Sequence, residues 1–158
     1  MVERKVAVDV NLSRLFRSSA FPAGSGPDFV NAGFAFASDL AAEALLGLLH
    51  EVEAEADRAR ATRWGARTLD LDLIAHGDEI APDEATWRCW AELPLDRQKK
   101  EWPDQLILPH PRLQDRSFAI VPLAELAPDW RHPVLGQSLA EMRESLDPDQ
   151  VADLRAIE

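Results

Sequence analysis

The chain has 158 residues, long enough for one domain with a real core, and its 46% apolar and 28% charged content is ordinary for a globular protein. A net charge of -11 argues against general binding to nucleic acid or an anionic membrane. The single cysteine, Cys89, cannot form an internal disulfide. No Cys/His set has zinc spacing, no apolar run could span a bilayer, and no signal-peptide pattern opens the chain, absences that favour the cytoplasm.

In chain order, Met1 to Lys5 is polar. Residues 6–16 have strand character, with Val6, Val8 and Val10 alternating. Residues 18–27 hold two prolines and two glycines and must form a loop. Residues 28–36 read as a second strand, weakened by Gly33. Residues 40–57 form the clearest helix. Leu45, Leu48 or Leu49, Val52 and Ala56 make its buried stripe, and Glu43, Glu51, Glu53 and Glu55 mostly face water. An arginine-rich loop then leads into a strand over residues 68–73, and His76-Gly77-Asp78 is a turn from which Glu79 and Ile80 begin a short return.

Residues 82–105 differ in texture, with Trp87, Trp90, Trp102 and a basic R-Q-K-K run. One or two short helices are expected there, starting near Asp83 and Pro94, with the tryptophans packing the segment onto the body. Residues 106–108 read as a short strand ahead of Pro109-His110-Pro111. Asp115 is placed as the cap of a helix running to about Leu126, with Pro122 as a kink or break. A loop over 128–136 precedes a capping box, Ser138 to Glu141, and Asp147-Pro148 starts a last helix. Nothing marks a repeat or an interdomain linker.

The stretch from Arg58 to Leu73 concentrates the chemistry. Arg58, Arg60, Arg63 and Arg67 precede Asp70 and Asp72, with Trp64 and Gly65 between. In a strand Thr68, Asp70 and Asp72 share one face, and Leu69, Leu71 and Leu73 the other. Two adjacent carboxylates repel unless a cation sits between them. Carboxylates suit Mg²⁺, which usually arrives with substrate phosphates, and guanidinium groups bind phosphate bidentately. The pattern points to a site for a magnesium polyphosphate. It also fits an edge strand with a solvated face and arginines that balance local charge.

R-W-G-A-R-T-L-D-L-D-L, followed by L-I-L-P-H-P-R-L-Q-D-R-S-F, resembles 6-hydroxymethyl-7,8-dihydropterin pyrophosphokinase of folate biosynthesis. The resemblance covers residues 12–130 and implies an α+β, ferredoxin-like fold: an antiparallel sheet with helices packed on it. It implies transfer of pyrophosphate from ATP to the hydroxymethyl group of a reduced pterin, releasing AMP. Asp70 and Asp72 then correspond to the ligands of two Mg²⁺ ions and, with Arg58 and Arg67, to the catalytic set. Arg58, Arg60, Arg63, Arg67, His110 and Arg116 correspond to ATP contacts, those from Arg60 to Trp64 on a mobile loop. Phe29 and Phe118 match the aromatic faces around the pterin, Asn31 its ring-edge contact, and Ser18 and Trp64 further substrate contacts. Glu53 matches a helix glutamate without an assigned role. Residues 1–158 are expected to form a single pyrophosphokinase-like domain with 82–105 as an insertion.

The family's first strand, glycine-x-asparagine loop and helix are not in this sequence, and Met1 to Lys5 resembles the end of that helix. The expectation is a natural protein that starts further upstream, and self-association through the uncovered sheet edge otherwise. The alternatives are a non-catalytic nucleotide- or pterin-binding remnant of the family and a purely structural module.

Overall fold

The computed structural model describes residues 9–20, 24, 26–58, 69–98 and 100–157. Among these residues four short strands come first: β1 (Asn11–Leu12), β2 (Phe16–Ser18), β3 (Phe29–Asn31) and β4 (Phe34–Ala35). Six helices follow among the described residues: α1 (Ala42–Arg58), α2 (Glu84–Ala91), α3 (Leu95–Gln98), α4 (Ser117–Leu126), α5 (Leu139–Glu144) and α6 (Pro148–Asp153). A fifth strand, β5 (Arg155–Ala156), returns to the sheet. Strands pair antiparallel in two groups, β1 with β4 and β3-β2-β5, so the class is α+β as expected. Among the described residues no helix is long and apolar enough to cross a membrane.

The two long strands expected near the start are each divided, and tertiary contacts divide them. Of the first, Val6 and Val8 lie outside the described residues. Between β1 and β2, the Ser13 N–H donates to the Gly33 carbonyl at 2.9 Å, and the Gly33 N–H to Ser13 Oγ at 2.9 Å. Gly33 interrupts the second strand because α4 passes over it. A Cβ there would stand 3.0 Å from Leu123 Cδ2 and 3.2 Å from the Leu123 backbone nitrogen. Glu125 of α4 accepts from the Arg14 backbone N–H and guanidinium, which fixes the β1–β2 connection to the same helix. β5 was not expected. It is stitched to β2 by the Ile157 N–H donating to the Leu15 carbonyl at 2.8 Å, and by Ser19 donating to Asp153.

α1 buries Leu45, Leu49 and Val52 as its spacing predicts, and Ala42 as well, while Ala56, at the end of the expected stripe, is half-buried. Glu53 corrects the expectation: it is only 6% exposed and does not face water. It stands four residues after Leu49, on the edge of the buried stripe. The main cluster joins Leu113, Ile120, Ala124, Leu139 and Met142, which packs α4 against α5. Each of its leucine, isoleucine and methionine side chains contributes roughly 1.5–3 kcal/mol by leaving water.

α4 begins at Ser117. Asp115 belongs to a preceding 3₁₀ turn, Leu113–Asp115, and Arg116 occupies the cap position with no side-chain cap bond. Pro122 does not break the helix; its ring is buried inside α4, where packing offsets the one lost backbone bond. α5 opens with the expected capping box, Ser138 accepting from the Glu141 N–H and Glu141 from the Ser138 N–H. Asp147 caps α6.

In the 82–105 segment, Asp83 caps α2 by accepting from the Thr86 N–H at 2.8 Å. Its tryptophans divide: Trp87 is buried, Trp90 is half-buried, and Trp102 is 79% exposed. The strand expected at 106–108 reduces to one bridge, in which Ala81 and Leu108 exchange N–H···O bonds of 3.0 Å.

Candidate functional site

A cleft of about 610 Å³ lies between α1, the 69–74 segment, the 82–105 segment and the start of α4. Asp70, Asp72, His110 and Arg116 all line it, so four of the expected residues come together from distant positions in the chain. Arg60, Arg63, Trp64 and Arg67 lie outside the described residues, as does the side chain of Arg58.

The 69–74 segment does not form the expected strand, although its burial alternates as a strand's would. Asp70 and Asp72 are exposed, and Leu69, Leu71 and Leu73 are half-buried. Its backbone bonds go elsewhere than to a ladder. The Leu71 N–H donates to the buried Glu53 carboxylate at 2.7 Å, and the Ile74 carbonyl accepts from the His110 N–H at 2.7 Å. A carboxylate from α1 thus does what a neighbouring strand would do, and it holds the two aspartates toward the cleft.

Arg116 is the junction. Its Nη1 donates to Asp72 Oδ2 at 3.0 Å, and its guanidinium carbon lies 5.7 Å from the centre of the Phe118 ring. His110 is neutral over the physiological range. Burial pushes its pKa down to about 4, helped by Arg116 and Arg112 and opposed by Asp72. The Arg112 N–H donates to His110 Nδ1 at 3.1 Å, which assigns the proton to Nε2. His110 therefore enters the cleft region as a neutral hydrogen-bond donor.

Ser18, Phe29 and Asn31 meet on one face of the β2–β3 pair. Phe29 stands opposite Ser18 and Asn31 opposite Phe16, and Asn31 Nδ2 donates to Ser18 Oγ at 2.9 Å. Phe29 is 59% and Phe118 42% exposed, large apolar rings open to a ligand. α4, which carries Phe118 in its first turn, packs against β2 and β3.

The role of Glu53, which the resemblance left open, is to hold the Leu71 N–H, and its place on the α1 stripe was the signal for it. One further residue was missed in the sequence. Arg112 lines the cleft, and its buried Nε has no hydrogen-bond partner among the described residues. The signal was its position directly after the Pro-His-Pro run. A buried donor without a partner is costly unless something else meets it.

The donor set sets limits on a metal. Among the described residues no three His, Cys, Asp or Glu side chains cluster closely enough to enclose an ion. Two carboxylates beside a guanidinium and a neutral imidazole fit Mg²⁺ that arrives with phosphate and keeps water, not an all-protein cage.

The family model described as 7,8-dihydro-6-hydroxymethylpterin-pyrophosphokinase (HPPK) matches residues 1–128. A 2-amino-4-hydroxy-6-hydroxymethyldihydropteridine pyrophosphokinase from Synechocystis is 36% identical over 135 residues, 85% of this chain and 58% of that relative. The protein of the same name from Pseudomonas aeruginosa is 37% identical over 133 residues, 84% of this chain and 69% of that relative. The folic acid synthesis protein fol1 of Pneumocystis carinii is 31% identical over 134 residues, 85% of this chain but 15% of that protein. The chain thus spans 58% of the Synechocystis relative's length and 69% of the Pseudomonas one's.

Proposed function

We propose that this chain, which belongs to the 7,8-dihydro-6-hydroxymethylpterin-pyrophosphokinase family, transfers pyrophosphate from ATP to the hydroxymethyl group of 6-hydroxymethyl-7,8-dihydropterin and releases AMP. The supporting observation is the placing of Arg116 between Asp72 and Phe118. One guanidinium joins the end of the site suited to phosphate to the end suited to a flat aromatic substrate.

The new bond joins the substrate's hydroxyl oxygen to the β-phosphorus of ATP, and the bond from that phosphorus to the α-phosphate bridging oxygen breaks. AMP carries away the electron pair, and the hydroxyl proton goes to solvent. Such a reaction asks for alignment and charge neutralisation more than for covalent chemistry. Asp70 and Asp72 would hold Mg²⁺, two ions in this reading, which supplies charge neutralisation on the phosphates and a more acidic hydroxyl. Arg116 and Arg112 offer guanidinium donors to phosphate oxygens. His110 offers one Nε2–H without adding charge. Arg58 and Arg67 would grip the phosphates, and Arg60, Arg63 and Trp64 would cover them and exclude water.

Trp90, Leu93, Trp102, Leu106 and Ile107 also line the cleft, apolar and aromatic surface fit for a purine. Phe29 and Phe118 would take the pterin faces, while Asn31, backed by Ser18, would read its edge. We read residues 1–158 as one such domain, with 82–105 inserted in it.

The test is AMP release from magnesium-ATP with and without the pterin. AMP that forms only when the pterin is present supports the reading. Magnesium-dependent nucleotide binding without AMP would replace it with a binding protein of the same family.

A further inference from the structure

We propose that Trp87, in the segment read as an insertion, is a positioning residue that fixes His110 in the nucleotide half of the cleft through the Pro109 carbonyl. Trp87 is 1% exposed, and its Nε1–H donates to the Pro109 oxygen at 2.8 Å. Proline has no N–H, so residue 109 can be held by hydrogen bonding only at its carbonyl. That carbonyl belongs to the same planar peptide unit as the His110 N–H. The His110 N–H donates the other way, to Ile74 at 2.7 Å. The Pro109–His110 peptide plane is therefore pinned on both edges, by an indole from α2 on one side and by the strand-like aspartate segment on the other.

The neighbours serve the same end. Leu108, one residue earlier, exchanges two 3.0 Å bonds with Ala81, at the entrance to the inserted segment. Behind Trp87, the His132 ring lies edge-on at 5.0 Å and touches Trp130 in turn at 5.8 Å. His132 Nδ1 accepts from the Val134 and Leu135 N–H groups, so its ring cannot turn without losing both. Trp130 donates its own Nε1–H to the Gly77 carbonyl at 2.8 Å, away from His110. The two indoles thus both meet one imidazole edge-on and make the same kind of bond. Only that of Trp87 ends on the peptide that carries His110.

This inference rests on the reading of His110 as a contact to ATP phosphate, and the experiment separates the two. Three proteins are compared: the unaltered chain, Trp87→Phe and Trp130→Phe. Imidazole ¹⁵N spectra report the His110 tautomer without any ligand. Calorimetry with magnesium and α,β-methylene-ATP reports nucleotide affinity, titration with the pterin reports the other half of the site, and urea melts report stability. Trp87→Phe should disturb the Nε2–H tautomer of His110 and weaken nucleotide binding about tenfold, the worth of one net hydrogen bond, with pterin affinity unchanged. Trp130→Phe should lose similar stability with nucleotide affinity altered less than about twofold. Equal losses for both variants, or for both ligands, would overturn the proposal, as would an unmoved His110 spectrum in Trp87→Phe. If the unaltered protein binds no nucleotide, the phosphate reading fails, and the spectrum alone decides whether Trp87 sets His110. Should Trp87→Phe not fold, 3-benzothienylalanine at position 87 keeps the ring shape without the N–H, and the same readings apply.

Discussion

Two of the stretches that bring residues to the proposed site are held in different ways. β3 is held by a ladder: Phe29, Val30 and Asn31 stand opposite Ser18, Arg17 and Phe16. The 69–74 segment has no ladder. It hangs from the Glu53 carboxylate at Leu71 and from the His110 N–H at Ile74. A ladder depends on backbone groups that every residue but proline supplies. Such a hold depends on particular groups, so single changes should disable the cleft side far more readily than the strand side.

The largest effect should come from the carboxylates. Asp70→Ala or Asp72→Ala should lower turnover by about 10²–10³, as losing a preorganised charge contact does. Stability should stay within about 1 kcal/mol, because the Asp72–Arg116 pair is partly exposed. Steady-state rates with urea melts would show it, and normal magnesium-dependent activity would remove the metal assignment.

Acid comes next, and it should strike the cleft side first. All four histidines lie outside the five strands. Burial pushes His132 down to about 4, and burial with nearby guanidinium groups does the same to His110. Both are neutral in the fold, while the unfolded chain takes up protons below about 6.5. The unfolded state then binds more protons, so stability is full above that pH and falls as pH drops toward 4. His132 alone accounts for a loss of about 3 kcal/mol by then. Urea midpoints between pH 7 and pH 4 should fall, and hydrogen exchange should rise at residues 71–74 and 108–110 before β2 and β3. A flat profile, or the reverse order, would remove the distinction.

Glu53→Ala should cost about 1–3 kcal/mol, since it strips the Leu71 N–H of its acceptor, and should lower turnover with it. Val30→Ala, at an exposed position in the β3 ladder, should stay within about 0.5 kcal/mol. Equal effects in paired melts would end the comparison. On the pterin side the effect should fall on ligand binding. Phe118→Ala should weaken pterin binding by more than the roughly 0.5–1.5 kcal/mol that ring stacking adds, with ATP affinity little changed. Calorimetric titration of each ligand decides, and equal losses would mean a folding defect.

The same contrast explains what could be read in the sequence. α1, the caps at Asp83, Ser138 and Asp147 and the turn at Gly77 rest on interactions within a few residues, and each was legible. The Asp70–Asp72 alternation was legible as exposure, but not as the absence of a ladder, because Glu53 supplies the bond from a distant helix. β5 depends on pairing with β2 across almost the whole chain, and the break at Gly33 on the approach of Leu123. Neither leaves a local mark. Asp115 failed as a cap because the 3₁₀ turn shifts the start of α4 to Ser117. His110, Arg116, Asp70 and Asp72 were found through the motifs, whereas Trp87 looked like packing because an indole shows its donor only once a carbonyl lies opposite it.

The central claim is that this cleft moves a pyrophosphoryl unit, not a single phosphoryl group. A ³¹P spectrum of the protein with magnesium-ATP and 6-hydroxymethyl-7,8-dihydropterin tests it most directly. The account predicts a pair of coupled signals from a diphosphate ester on the pterin, growing in equal amount with AMP and lost when magnesium is chelated. ADP with a pterin monophosphate, or ATP left intact by folded protein, would contradict it.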